Sequence, residues 1–170
     1  MVHYRYLKKR IKDVKLKDYI AFVPMFIALI CIPIFKKRYG KVWLICERQY
    51  EARDNGYCFF KYIVENHPNQ KVIYALSKKS ADYAKVAQLG TIVNYGGLKH
   101  WILYFTCQLN ISSQKSGKPN APICAFLELS NISKTKNIFL QHGIIINDVE
   151  WLHSDKCRFK IFITSTIPET

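Results

Sequence analysis

At 170 residues, 49% apolar and 14% aromatic, the chain is long enough for one domain with a real core and too hydrophobic to be a disordered tail. Its net charge of +14 is gathered at one end: residues 1–41 hold eleven of the twenty-six Lys and Arg against two acids, Asp13 and Asp18, and so carry +9, while the rest carries +5. Six cysteines with no CxxC and no Cys/His group at zinc spacing argue against a disulfide framework or a zinc site and favour a reducing compartment.

Residues 1–40 form the first segment. Tyr19 to Phe35 is seventeen residues without a charge, roughly 25 Å as a helix and at the short limit for crossing a bilayer. Pro24 and Pro33 interrupt it, and basic stretches flank both ends, KKRIKDVKLK before and KKRYGK after. Three assignments compete: a membrane-seated helix (lying in the interface or crossing once), a buried core helix, and a cleaved signal peptide. The last lacks a small-residue cleavage site. Dense cationic flanks suit an anionic membrane surface better than a core helix. A nucleic-acid partner is not expected, because the adjoining apolar run has no use in that role.

Residues 41–170 change character. KVWLIC (41–46) is an apolar run of strand formers, as a buried parallel strand requires. Asp54 and Asn55 offer helix caps before GYCFFKYIVEN, where Tyr57, Phe60 and Val64 recur at helical spacing, and His67-Pro68 closes that helix. KVIYAL (71–76) predicts a second strand. Ser80 caps a helix through Gln88 that Gly90 ends, and TIVN (91–94) predicts a third strand. Gly96-Gly97 leads into a helix over LKHWILYFTC, and QLNISSQ (108–114) predicts a strand running into the polar turn KSGKPN. APICAFLELS (121–130) fits a helix but leaves a strand open. NIFLQ (137–141) and FKIFITS (159–165) complete the strands. Strands alternating with helices at this spacing imply a mainly parallel, Rossmann-like sheet with crossover helices on its faces. Ligands in such folds gather at the carboxyl ends of strands, so a chain stopping just after one is expected to continue in a longer protein.

Several residues fall at those ends. Gln141 runs straight into His142-Gly143, which puts an imidazole at a strand's edge, followed by the residue best able to turn the chain. Such a histidine can act as a general base near neutral pH or can simply hydrogen-bond in a turn. ERQYEARDNG (47–56) gathers charged side chains before a helix N-terminus, where backbone N–H groups favour anions and Arg48 or Arg53 can hold a phosphate. A capped helix with a solvated loop is the alternative. Gly96 lets backbone approach a phosphate or sugar, or else makes a tight turn. Ser112, Ser113 and Gln114 end another strand and are placed to line the same cleft. His153 near Asp148, Glu150 and Asp155 has no metal-site spacing, and no Asp-x-Asp pair suggests a metal-held nucleotide, so neither metal nor cofactor is expected. His100 beside Trp101 is assigned to packing.

Taken in order, WLICERQYEARDNGYCFFKYI, KVIYALSKKSAD, GTIVNYGGLKHWILYFTCQLNISSQ, NIFLQHGI and FKIFITSTIPE resemble the CDP-glycerol glycerophosphotransferases of teichoic acid synthesis, across about residues 42–169. The ARDNG loop and the strand-to-HG step carry most of the likeness. The resemblance implies the N-terminal half of a glycosyltransferase-B-like fold, with the active site between two Rossmann-like halves. It further implies transfer of glycerol phosphate from CDP-glycerol to a hydroxyl of a lipid-linked polyol-phosphate or glycan acceptor at the cytoplasmic face of the membrane, with release of CMP. It maps the family's first-half catalytic histidine onto His142, with Arg53, Asp54, Asn55, Gly56, Gly96, Ser112, Ser113 and Gly143 as substrate-binding candidates. The family's second half, which supplies most donor contacts, is not within the 170 residues, so this chain is expected to be inactive alone. The competing function is a non-catalytic membrane-bound α/β module that binds anionic glycan or lipid phosphate.

Overall fold

Every predicted strand takes its place in a single sheet in the computed structural model, which describes residues 15–141, 143, 149, 152–153 and 157–164. The strands are β1 (Trp43–Cys46), β2 (Val72–Leu76), β3 (Ile92–Asn94), β4 (Leu109–Ser112), β5 (Asn137–Phe139) and β6 (Phe159–Phe162). All neighbours pair in parallel, in the order β3-β2-β1-β4-β5-β6. That is the doubly wound Rossmann order, and it reverses between β1 and β4, where a crevice opens beyond the strand ends.

Alternation along each strand feeds two cores. Leu44 and Cys46 of β1 face one layer with Ala75 and Val93, and Ile45 faces the other with Tyr74, Leu76 and Ile111. Helices α2 (Asn55–Asn66) and α3 (Tyr83–Leu89) cover the second layer through Phe60 and Val86. The first layer is covered by α1 (Phe22–Tyr39), α4 (Leu98–Thr106) and α5 (Ala121–Leu129). The open choice at 121–130 falls to a helix because Asn120 caps it: its side chain accepts the Ile123 N–H at 3.1 Å, and Pro122 sits in the first turn, where no N–H is needed. Ser80 is not the cap of α3. Its hydroxyl donates to the Tyr50 carbonyl and accepts the Asp82 N–H, and Asp82 is the residue from which the helix starts.

Two expectations need correction. The runs 108–114, 137–141 and 159–165 give shorter strands than predicted: β4 ends where the Ser112 hydroxyl bonds to Gln114, and beyond β5 and β6 only single backbone bonds, Leu140 N–H to the Ser112 carbonyl and Ile163 N–H to the Phe139 carbonyl, carry on the ladder. The prolines do not break the apolar segment either: α1 follows a 3-10 turn (Leu16–Ala21) and passes through Pro33 without ending. Pro24 falls in its first turn, where a missing N–H costs nothing. Packing against α4 holds the rest, with Met25 and Ala28 buried in the shared core. Packing therefore continues across residue 40, where the charge pattern changes. The helix is braced at both ends, by Asn120 Nδ2 donating to Asp18 Oδ1 at 2.8 Å and by Lys36 Nζ donating to the Thr106 carbonyl at 3.1 Å.

The buried-core assignment holds for one face of this segment only. Val23, Ile27, Ile30 and Ile34 of α1, spaced alternately four and three apart, are 43–77% exposed, and Leu16 and Ile20 of the preceding 3-10 turn are exposed as well. At 3.6 residues per turn that spacing makes a single apolar stripe. By length and composition Asp18–Tyr39 is also apolar enough to cross a membrane.

All six thiols are free, and Cys46, Cys107 and Cys124 are buried. Burial pushes the Cys107 and Cys124 thiols up to about 12.

Candidate functional site

The carboxyl ends of β1, β4 and β5 meet the N-terminus of α2, and an acid that sequence reasoning had left among the loop charges organises the junction. Glu47, the first residue after β1, is 1% exposed. Its Oε1 accepts the Gly56 N–H at 2.7 Å, the Tyr57 N–H at 3.3 Å and the Ser113 hydroxyl at 2.9 Å; its Oε2 accepts the Tyr74 hydroxyl at 2.6 Å. Glu47 makes no ion pair among the described residues, so four neutral donors and the α2 dipole hold the carboxylate. Gly56 is glycine for a reason of space: a Cβ there would lie 2.7 Å from Glu47 Oε1. Burial, followed by the Glu47 charge, raises the Tyr74 phenol far above its ordinary value and keeps it a donor. The signal in the sequence was faint, since Gly56, Tyr74 and Ser113 stand nine, twenty-seven and sixty-six residues from Glu47.

This arrangement alters the part given to the helix N-terminus. Asp54 caps α2, with Oδ1 accepting the Asn55 N–H at 2.8 Å. With Gly56 and Tyr57 bonded to Glu47, the first-turn N–H groups are already taken, and an external phosphate would have to displace a carboxylate. Asp54 and Asn55 act as ties instead. Asp54 Oδ2 accepts from Gln114 Nε2 at 2.5 Å, beyond β4, and Asn55 Nδ2 donates to the Gln141 carbonyl, beyond β5. Ser112 and Ser113 are buried and do not line the cleft; Ser112 bonds to Gln114 through both its hydroxyl and its acceptor lone pair, and Ser113 serves Glu47. Gly117 closes in beside them, packed so tightly that a Cβ would collide with Ser112 Oγ and the Cys46 carbonyl.

Two clefts flank the junction. One, of about 320 Å³, is lined by Glu47, Arg48, Glu51, Arg53, Asp54 and Gln114. Arg53 is largely exposed and holds Asp82 through Nε at 2.9 Å, and Arg48 pairs with Glu51 at 3.2 Å. Burial works against the Asp82 charge, yet the Ala52 N–H, Arg53 and Lys85 hold its carboxyl below the usual range. With two arginines and three acids, this cleft is mixed in charge. The other, of about 600 Å³, lies between α2 and the ends of β5 and β6, and is lined by Asn55, Phe59, Tyr62, Gln141, Gly143 and Thr164 among others. Gly143 has φ +126°, a conformation suited to glycine, and open space around its α-carbon. His142 lies outside the described residues, though its chain neighbours on both sides line this cleft.

Gly96 lies apart, at the end of β3. Its φ is +72°, and its N–H donates to His100 Nδ1 at 3.0 Å, so the loop's donor turns inward. His100 is fully buried, as the packing assignment requires, and burial lowers its pKa to about 3. Since the unfolded chain takes up this proton near pH 6.5 and the folded one does not, stability falls as pH drops between those values, by at most about 1.4 kcal/mol per unit. We expect acidification from pH 7 to 5 to lower unfolding free energy more steeply in the parent than in His100→Gln; equal slopes in chemical denaturation would refute this. Asp148, Glu150 and Asp155, weighed with His153 as a metal group, lie outside the described residues, and no group of three His, Cys, Asp or Glu side chains converges among those described.

The chain is 32% identical to the minor teichoic acid biosynthesis protein GgaB of Bacillus subtilis (strain 168), over 75% of its own length. It spans about one seventh of that relative, 14% of its length. No protein-family model and no solved structure matches the chain.

Proposed function

Since the chain belongs to the CDP-glycerol glycerophosphotransferase family of teichoic acid biosynthesis, we propose that this domain is the acceptor-side half of such an enzyme. It presents a membrane-linked polyol-phosphate or glycan hydroxyl to the phosphoryl group of a CDP-glycerol donor, and CMP departs. His142 takes the hydroxyl proton, and a partner domain holds most of the nucleotide. The observation that best supports this reading is the tie between the two segments carrying the family likeness. Asn55 of the ARDNG loop bonds to the Gln141 carbonyl just before His142, which fixes both segments beside one cleft at the sheet's carboxyl edge, and Asp54 bonds to Gln114 just after β4 beside the neighbouring cleft. Transfer at phosphorus depends on positioning more than on covalent help, and a rigid rim supplies it.

Residues 15–39 seat the domain on the cytoplasmic face of the membrane. Because α1 is braced at both ends and shares its core with α4, turning it across the bilayer would expose that core, Met25 and Ala28 included. Lying in the interface keeps that packing and seats the exposed stripe in acyl chains. The test is CMP release from CDP-glycerol in the presence of a lipid-linked glycerol phosphate acceptor. The 170 residues alone should be silent, and the same residues joined to a complementary donor-binding domain should be active. A folded, joined protein that releases no CMP would reject the transferase in favour of a non-catalytic binding module.

A further inference from the structure

The amino edge of the sheet, opposite the cleft just described, holds a second concavity that the proposed transfer does not use. It encloses about 470 Å³ and is lined by Glu128, Asn131, Ser133, Lys134, Thr135, Lys136, Arg158, Phe159 and Lys160. Four of these side chains are cationic. The one acid, Glu128, is already neutralised: it is buried, its Oε2 accepts from Lys118 Nζ at 2.6 Å, and its Oε1 accepts from the Tyr104 hydroxyl. Lys134, Lys136 and Lys160 are exposed and make no ion pair among the described residues. Like charges gathered without counter-charge raise the local potential and draw in an anion.

The loop that carries the lysines is built to stay put. Asn131 ends α5 at φ +57°, and the N–H groups of Ile132 and Ser133 both return to the Leu127 carbonyl at 2.9 Å. Ser133 Oγ donates to Thr135 Oγ1, which donates to the Tyr104 carbonyl at 2.8 Å. The hydroxyl protons are thus engaged within the loop, and the charged donors it offers to the concavity are the ammonium groups of Lys134, Lys136 and Lys160. Such a set suits a phosphate ester, whose oxygens accept from several cations at once. The setting suits one as well. Lys36, at the basic end of α1, reaches the Thr106 carbonyl in the same last turn of α4 that anchors Thr135.

We propose that this concavity is a phosphate-ester binding site, separate from the transfer cleft and on the opposite edge of the sheet. The phosphate comes either from a lipid headgroup or from a soluble glycerol phosphate unit, and one experiment with the full chain tells them apart. Vesicles of phosphatidylcholine with and without about one-third phosphatidylglycerol form one arm, and soluble sn-glycerol 3-phosphate, read by protection of lysines from acylation, forms the other. The paired variant Lys134→Gln with Lys160→Gln should lose about tenfold or more of the extra affinity that the anionic lipid confers, at about 1 kcal/mol for each lysine near such a surface. Alternatively, it should lose the glycerol phosphate protection of Lys136. The first result identifies the headgroup and the second the soluble ester. The control pair Lys78→Gln with Lys79→Gln removes equal charge just beyond β2 at the other edge. The site is overturned if the control pair loses as much as the first, or if the first pair changes neither readout by twofold.

Discussion

Glu47→Gln is expected to destabilise the domain by about 2–4 kcal/mol, and Glu47→Ala by more. The carboxylate is surrounded entirely by donors: two backbone N–H groups, the Ser113 hydroxyl and the Tyr74 hydroxyl. Glutamine keeps the shape but loses the charge, and its NH₂ group keeps a bond only by turning the Tyr74 hydroxyl into an acceptor, which leaves the phenol proton without a partner. A buried donor without an acceptor costs about 1–3 kcal/mol, and total stability for a domain of this kind is about 5–15 kcal/mol. The partner variant sharpens the test. Tyr74→Phe removes the 2.6 Å bond to the carboxylate beforehand, so Glu47→Gln should cost at least about 1 kcal/mol less in that background, a coupling that a double-mutant cycle in urea measures. A cost under about 1 kcal/mol for Glu47→Gln in the parent would mean that water already reaches the carboxylate.

What the sequence made legible, and what it hid, follows from the range of the interactions involved. Alternation and helical spacing are local, so KVWLIC, KVIYAL and NIFLQ point to strands and GYCFFKYIVEN to a helix without any knowledge of neighbours. Short-range chemistry also settles caps such as Asp54. Glu47 is different: only the parallel pairing of β1 with β2 and β4 brings Tyr74 and Ser113 to it. Ser112 and Ser113 stand at a strand end as expected, but whether a hydroxyl faces a cleft or a buried carboxylate depends on that same pairing. The apolar segment was ambiguous for a related reason. Its composition is the same whether it is buried or exposed, and the choice is made face by face through packing on α4. The amino-edge cations escaped notice because Lys134 and Lys160 lie twenty-six residues apart and come together only when β5 and β6 pair.

The largest effect on activity is expected from His142→Ala in the joined, two-domain enzyme: a fall in turnover of at least about 100-fold, with acceptor affinity changed far less. General-base catalysis contributes roughly 10²–10⁴-fold, and the lower end suits a phosphoryl transfer in which positioning does much of the work. The direction of the pH dependence follows from the proton. A neutral imidazole is the active form, so the parent rate should climb with pH on the acid side and then level off, and the alanine variant should lack that limb. His142→Gln keeps a hydrogen-bonding side chain but has no proton to exchange, and so separates a base from a residue that only orients the turn. If glutamine restores turnover to within about threefold of the parent, or if the alanine variant retains the same acidic limb, the imidazole is not the base. In that case the rim held by Asn55 and Asp54 would position substrates for a proton acceptor supplied from elsewhere.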